Sequence, residues 1–209
     1  MRVTVVRGRR TMTAVSAKLL GPRARPRRDV TAGSYGVGMA TWTSFADEAP
    51  ELATLAEQRI AASGLLMLGT LRRDGFLLIS PVEPTLMDGK LVLHDDRLWL
   101  GMMPGSTKSR DLQRDGRLAL HTATADKMVS EGDVKLWGVA TQVSDPDRLQ
   151  KMSDDLYAAM GHRFEVGTFD AFDVDLLGAS AVTVDMEAEV MLVRTWQPGQ
   201  GVSRVEKRE

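Results

Sequence analysis

The chain contains no cysteine among its 209 residues. That excludes disulfides, thiolate metal sites and cysteine nucleophiles together. Histidine is nearly as scarce, and His94, His121 and His162 are too scattered for metal-ligand spacing. Aromatic residues make up only 5%. No apolar run approaches the roughly 18 residues of a membrane helix, so no membrane partner is expected and the cytoplasm is the default location. There is no Gly-x-Ser-x-Gly elbow, no Walker loop and no Gly-x-Gly-x-x-Gly after a strand. What is present, 43% hydrophobic and 26% charged residues, is ordinary for a globular protein. The length is sufficient to bury a core without staples.

The net charge of −1 conceals two unlike parts. Residues 1–38 carry nine basic side chains and one acidic, Asp29, a net of +8; the rest carries 18 basic and 27 acidic, a net of −9. The basic part is rich in Arg, Gly and Pro, and three readings compete for it. Arginines neutralise phosphates without needing a fold, so a nucleic-acid arm would want this charge. An Arg-rich, acid-poor segment also suits a targeting peptide, although no apolar region of adequate length follows Arg9-Arg10. The preferred reading is a disordered extension ahead of a working start at Met39, with residues 39–209 as the folded domain. A nucleic-acid partner is accordingly not expected.

From Ser44 the chain becomes organised. Ser44 is placed to cap a helix with Asp47 and Glu48 in its first turn; Leu52, Leu55, Ala56, Arg59 and Ile60 continue it, and Gly64 ends it. Leu65–Leu71 and Phe76–Val82 flank Arg73-Asp74-Gly75, a strong hairpin signal. Lys90–His94, Arg97–Met102, Arg117–Thr124 and Val134–Ser144 read as further strands, with a short helix near Ser106–Asp115. Asp145 and Pro146 open the clearest helix, whose stripe of Leu149, Met152, Leu156 and Met160 stops at Gly161. Thr168–Leu177, Ser180–Met186 and Val190–Trp196 read as the last strands. Many short, turn-linked strands with three helices at connections predict a mainly β domain, antiparallel and closed into a barrel.

Chemistry concentrates between Trp99 and Leu112. A strand delivers the chain to Pro104-Gly105, and the hydroxyls of Ser106 and Thr107 precede a helical turn holding Lys108 and Arg110. A helix N-terminus presents unpaired N–H groups and partial positive charge, which attract phosphate. Hydroxyls add donors, and the two cations add full charge. An ordinary Ser-capped helix with a solvated basic face would show the same residues, so chemistry alone leaves both readings open. Elsewhere the signals are weaker. Asp170, Asp173 and Asp175, interleaved with apolar residues, fit the polar face of an edge strand better than a carboxylate site. His121 reads as a barrel-wall residue, and Met102 and Met103 as core filler. Trp137, between Lys135 and Val139, either covers a cofactor ring or packs.

Residues 39–209 resemble the pyridoxamine 5′-phosphate oxidase-like split-barrel family, especially its actinobacterial flavin- and deazaflavin-dependent branch. The resemblance rests on Met39–Phe45, Ala49–Leu52, Thr70–Gly75, Ile79–Glu83, Leu98–Arg117, Trp137–Ala140, Phe172–Leu176 and Arg194–Gly199, in family order. It implies a six-stranded antiparallel Greek-key split barrel that forms a homodimer, with FMN or the deazaflavin coenzyme F-420 in a groove between subunits. Ile79, Ser80, Pro81 and Val82 would line the ring and ribityl chain. Met102, Ser106, Thr107 and Lys108 would wrap the phosphate, with Arg110 adding charge, and Trp137 would stand near the ring. A deazaflavin's polyanionic tail would call on Lys108, Arg110 and Arg114 as a strip. The implied activity is hydride transfer to or from a small organic substrate, with no catalytic side chain assigned. A non-catalytic binder of a flavin, haem or pyridoxal phosphate is the alternative. Vitamin B6 oxidation is not the first expectation, because a dense basic phosphate site and a matching C-terminal segment are missing. Leu77 and Leu78 also stand where many relatives carry polar or basic residues.

Overall fold

The computed structural model describes residues 38–208. The basic extension expected over residues 1–38 lies, apart from Gly38, outside the described residues. The chain enters through two helices rather than the single one expected. Thr41, not Ser44, caps α1 (Trp42–Glu48), its Oγ1 accepting from the Ser44 N–H at 3.2 Å. The break follows from Pro50, which excludes helical backbone at the residue before it: Ala49 sits at φ −141°, ψ 60°. Pro50 then opens α2 (Pro50–Ser63), which Gly64 ends in the left-handed conformation at φ 67°.

The first hairpin is as expected: β1 (Leu66–Leu71) and β2 (Leu77–Val82) pair antiparallel from Leu66 opposite Val82 to Leu71 opposite Leu77. The expected strand over Lys90–His94 shrinks to β4 (Lys90–Leu91), paired with β3 (Leu86–Met87). There follow β5 (Leu98–Met102), α3 (Thr107–Arg114), β6 (Arg117–Thr122), β7 (Asp133–Gln142) and α4 (Pro146–Met160). The chain ends with β8 (Asp170–Asp185), β9 (Val190–Gln197) and β10 (Gly201–Arg208).

Six strands make an antiparallel barrel in the order β2-β1-β6-β7-β8-β5. The ring is split, because β2 and β5 come close but no ladder joins them. Alternation fills the inside with Leu66 and Leu68, Leu98 and Leu100, Leu118 and Leu120, and Val134 and Leu136. At one end, Phe45 packs edge-on to Trp42 and against Trp196, with ring centroids 5.5 and 4.8 Å away. Each indole finds an acceptor: Trp42 Nε1 donates to Glu57 at 3.1 Å, and Trp196 Nε1 donates to Glu48 at 3.0 Å.

Strand β8 unifies the architecture and corrects the sequence reading, which divided it near Gly178. It pairs with β7 along one edge; along the other it meets β5 over Asp170–Val174 and β9 over Ala179–Asp185. A bulge falls at Leu177, since Trp137 opposes Gly178 while Gly138 opposes Leu176. The buried positions accordingly switch phase, from Phe172, Val174 and Leu176 to Ala179 and Ala181. Strand β10, which sequence did not suggest, pairs only with β9 and is exposed along most of its length.

Candidate functional site

The phosphate candidate is built where β5 ends. Gly105 turns the chain at φ 65°, and Ser106 Oγ caps α3 by accepting from the Ser109 N–H at 3.3 Å. The N–H groups of Thr107 and Lys108, in the first turn, have no acceptor within the helix. Behind the loop stands Asp170 of β8. Its Oδ2 accepts from the Ser109 hydroxyl and from the Gly105 N–H at 3.4 Å. Lys108 reaches across the split, donating from Nζ to the Pro81 carbonyl at 3.0 Å. One cation therefore ties the α3 side of the seam to β2 and stands beside free helical donors.

A cavity of about 760 Å³ opens along this seam. Five of the residues named from sequence line it together: Pro81, Val82, Met102, Ser106 and Lys108. The others stand elsewhere. Thr107 and Arg110 lie on the exposed side of α3. Ser80 pairs with Leu68 on the inward-facing row of β2, whereas Ile79 pairs with Gly69 on the outer row and is 68% exposed. Trp137 belongs to that outer face as well, one cross-strand row running Ile79, Gly69, Ala119, Trp137 and Gly178. Its indole lies over Gly178, where an added Cβ would fall 2.2 Å from the ring. Within one chain, Trp137 and Ile79 are thus outside the cavity.

The far wall comes from Leu156 and Met160, read from sequence as part of the apolar stripe of α4, and from Phe164 and Phe169, which sequence did not single out for the site. The apolar stripe of α4 was legible, but not that its C-terminal end leaves the core; Met160 is 54% exposed. The N-terminal part of the helix is fixed by a second cluster of Trp99, Val143, Met152, Phe169 and Ala171. Charge holds it too. Arg148 forms a two-pronged bond to Asp173, both N–O distances 3.0 Å, and pairs with Asp95 at 2.9 Å. His94, 2% exposed, lies edge-on to Trp99 with its Nε2 3.0 Å from Asp155, at an angle that makes no hydrogen bond. Burial chiefly holds the His94 pKa below its ordinary value; Lys151 and Arg148 push the same way, against Asp155 and Asp95.

Two expectations are corrected here. The aspartates of β8 are not the solvated face of an edge strand, because β8 is paired on both sides. Asp173 is taken by Arg148, Asp175 by Arg97 at 2.7 Å, and Asp170 by Gly105 and Ser109 at the start of α3. Arg114 does not extend a cationic strip from Lys108. It bonds Asp111 at 3.0 Å and the Leu71 carbonyl, and Asp111 in turn accepts from Thr70 at 3.1 Å. Among the described residues no group of His, Asp and Glu suits a metal, and no helix is long and apolar enough to cross a membrane.

The six-stranded barrel, split between β2 and β5 with helices at its connections, defines the class: a mainly β, split-barrel protein. Residues 52–190 match the family model described as pyridoxamine 5′-phosphate oxidase. The chain belongs to that family. Its fold is similar to a pyridoxamine 5′-phosphate oxidase-related, FMN-binding protein from Nostoc punctiforme, at 10% identity and TM-score 0.53, covering 77% of this chain and 96% of that one. It is also similar to ChuZ from Campylobacter jejuni, at 10% identity and TM-score 0.54, covering 70% and 59%. Comparison with curated proteins gives no match.

Proposed function

We propose that the protein is a flavin-type oxidoreductase that binds FMN or coenzyme F-420 and transfers hydride to or from a small organic substrate. The observation that carries this is the convergence of Lys108, Ser106 and the α3 N-terminus at one end of an otherwise largely apolar cavity. Lys108 and the free N–H groups would hold the phosphate. Pro81, Val82 and Met102 would seat the ring system and exclude water. When bound, such a cofactor supplies the redox chemistry, and the protein supplies position and electrostatics. The FMN binding recorded for the Nostoc relative supports the flavin form of the reading. With Arg114 committed to Asp111 and Leu71, a strip for a polyanionic tail has less to stand on, which favours FMN.

The protein would act as a homodimer. Phe76, Leu77 and Ile79 are 74%, 75% and 68% exposed on the outer side of β2 and the preceding turn. A cluster of large apolar side chains at that exposure fits a protein partner.

Titrating the full chain with FMN and with F-420 by fluorescence quenching tests the reading, and binding of neither would end it. Lys108→Ala is expected to weaken FMN by about 1.5–3 kcal/mol, the scale of a charged hydrogen bond. Unchanged affinity would place the phosphate elsewhere. A protein that binds FMN but turns over with no reductant would be a carrier or sensor instead.

A further inference from the structure

Two neighbouring residues of α4 serve different parts of the molecule. Leu156 lines the seam cavity, while Asp155 meets His94 in the turn before β5. Whatever displaces Asp155 therefore displaces a wall of the cavity. Among the described residues, charged contacts join this helix to the barrel strands and their turns at two places. Near its start Arg148 holds Asp173 and Asp95; near its end Asp155 faces His94. The first is a formed, two-pronged bond, and Met152 anchors the same half of the helix in its apolar cluster. The second is not formed. Leu156 only flanks that cluster, partly buried, and Met160 is more than half exposed.

Asp155 Oδ2 stands 3.0 Å from His94 Nε2, yet the angle makes no hydrogen bond, and this buried nitrogen has no other partner among the described residues. A carboxylate oxygen can only accept, so a neutral ring with its lone pair on Nε2 leaves two acceptors face to face. A proton on Nε2 would supply the missing donor, but it would also bury a charge. Arg148 and Lys151 of α4 oppose that charge, and only Asp155 and Asp95 favour it. The β8 carboxylates Asp173 and Asp175 are already held by Arg148 and Arg97. Burial thus wins, and the seated helix keeps His94 neutral.

We propose that α4 is a proton-operated wall of the cavity, seated while His94 is neutral and released at its C-terminal half when His94 takes a proton. Release admits water to the imidazolium and opens the cavity beside Leu156, while Arg148 and Met152 keep the N-terminal half in place. A ligand packed against Leu156 selects the seated helix, so its binding expels a proton and acid weakens it. The helix motion stands apart from the flavin reading; its effect on FMN rests on that reading.

Hydrogen exchange of the full chain at about pH 7.5 and 5.5, with times scaled to the intrinsic pH dependence of amides, follows the helix directly. Residues 153–160 should exchange ahead of β6 at both values, and their protection should fall about threefold to tenfold in acid. Tenfold is about the most that one histidine of ordinary pKa supplies over that window. In His94→Asn the fall should be less than about twofold. Asp155→Asn separates this device from an ordinary ion pair. Its amide can donate to the Nε2 lone pair and has no charge to favour the imidazolium. Residues 153–160 should then be better protected near neutrality and lose at least as much in acid. An ion pair predicts the reverse: acid tightens the helix, and Asp155→Asn loosens it. Either result, or residues 153–160 exchanging only together with β6, overturns the inference. FMN titrations by fluorescence quenching test the coupling to the cavity. Affinity should fall about threefold to tenfold more in wild type than in His94→Asn, a comparison that cancels the titration of the FMN phosphate at about pH 6. Equal falls would overturn the coupling. Absence of FMN binding by the wild type at both values refutes the flavin reading and leaves the exchange result to decide the helix.

Discussion

Asp170 puts a carboxylate behind the loop of Gly105 and Ser106, where its negative charge would oppose the proposed phosphate. Its bonds to the Gly105 N–H and the Ser109 hydroxyl show what it supplies instead, a fixed loop shape. The two effects separate by substitution. Asp170→Asn keeps an acceptor and removes the charge, so FMN affinity should hold or rise by up to about fivefold, the range of a charge near a helix terminus. Asp170→Ala removes both, and affinity should fall. Parallel losses in a binding titration would mean that the charge has no separate effect. This residue also marks the limit of sequence at its own scale. Alternation along 170–175 is visible, but Arg97 and Arg148, which neutralise Asp175 and Asp173, come from other elements. The setting of Lys108 was legible because it is wholly local: a strand, a Pro-Gly turn, a cap and a cation within ten residues.

Among the elements, α4 gives the cavity its far wall, and its seating depends on groups that titrate. His94 meets its end of the barrel with Asp155, Lys151 and Arg148 facing it from the helix and Asp95 from its own loop. Because its folded pKa is depressed, the unfolded chain binds the proton more readily. The contribution of neutral His94 is therefore full above the ordinary histidine range and is lost as pH falls through and below it. Urea midpoints between about pH 7.5 and 5.5 should drop more for wild type than for His94→Asn. Equal slopes would remove His94 from the account. Elements bounded by local signals were read well: Asp145, Pro146 and Gly161 mark α4, and Arg73-Asp74-Gly75 marks the first hairpin. The α1–α2 break was missed although Pro50 announces it, because the apolar spacing runs on across the proline. Strand β10 was missed because its charged sequence suits an exposed edge, where no apolar face is needed.

At the scale of the whole molecule, the outer face of β2 is the test of assembly. Leu77→Lys with Ile79→Asp should convert a dimer into a monomer in sedimentation velocity, without disturbing the inward row of Leu78, Ser80 and Val82. A dimer that survives the pair would lie on another surface. The barrel itself was legible as a class, since short strands and turns repeat along the chain. The order of its strands was not, since ladders such as β5 on β8 join residues about 70 positions apart, where no periodicity connects them.

The bulge at Leu177 ties these scales together. Before it, β8 turns its even-numbered residues to the core; after it, the odd-numbered ones. It works as a phase shifter between the two strands, β5 and β9, that one edge of β8 meets in turn. Deleting Leu177 would leave β8 in step with the barrel or with the terminal hairpin, but never with both. The hairpin carries Trp196, whose ring helps seal the barrel's end. A single residue with no contact to the cavity thus sets whether the terminal hairpin and the barrel can share one register.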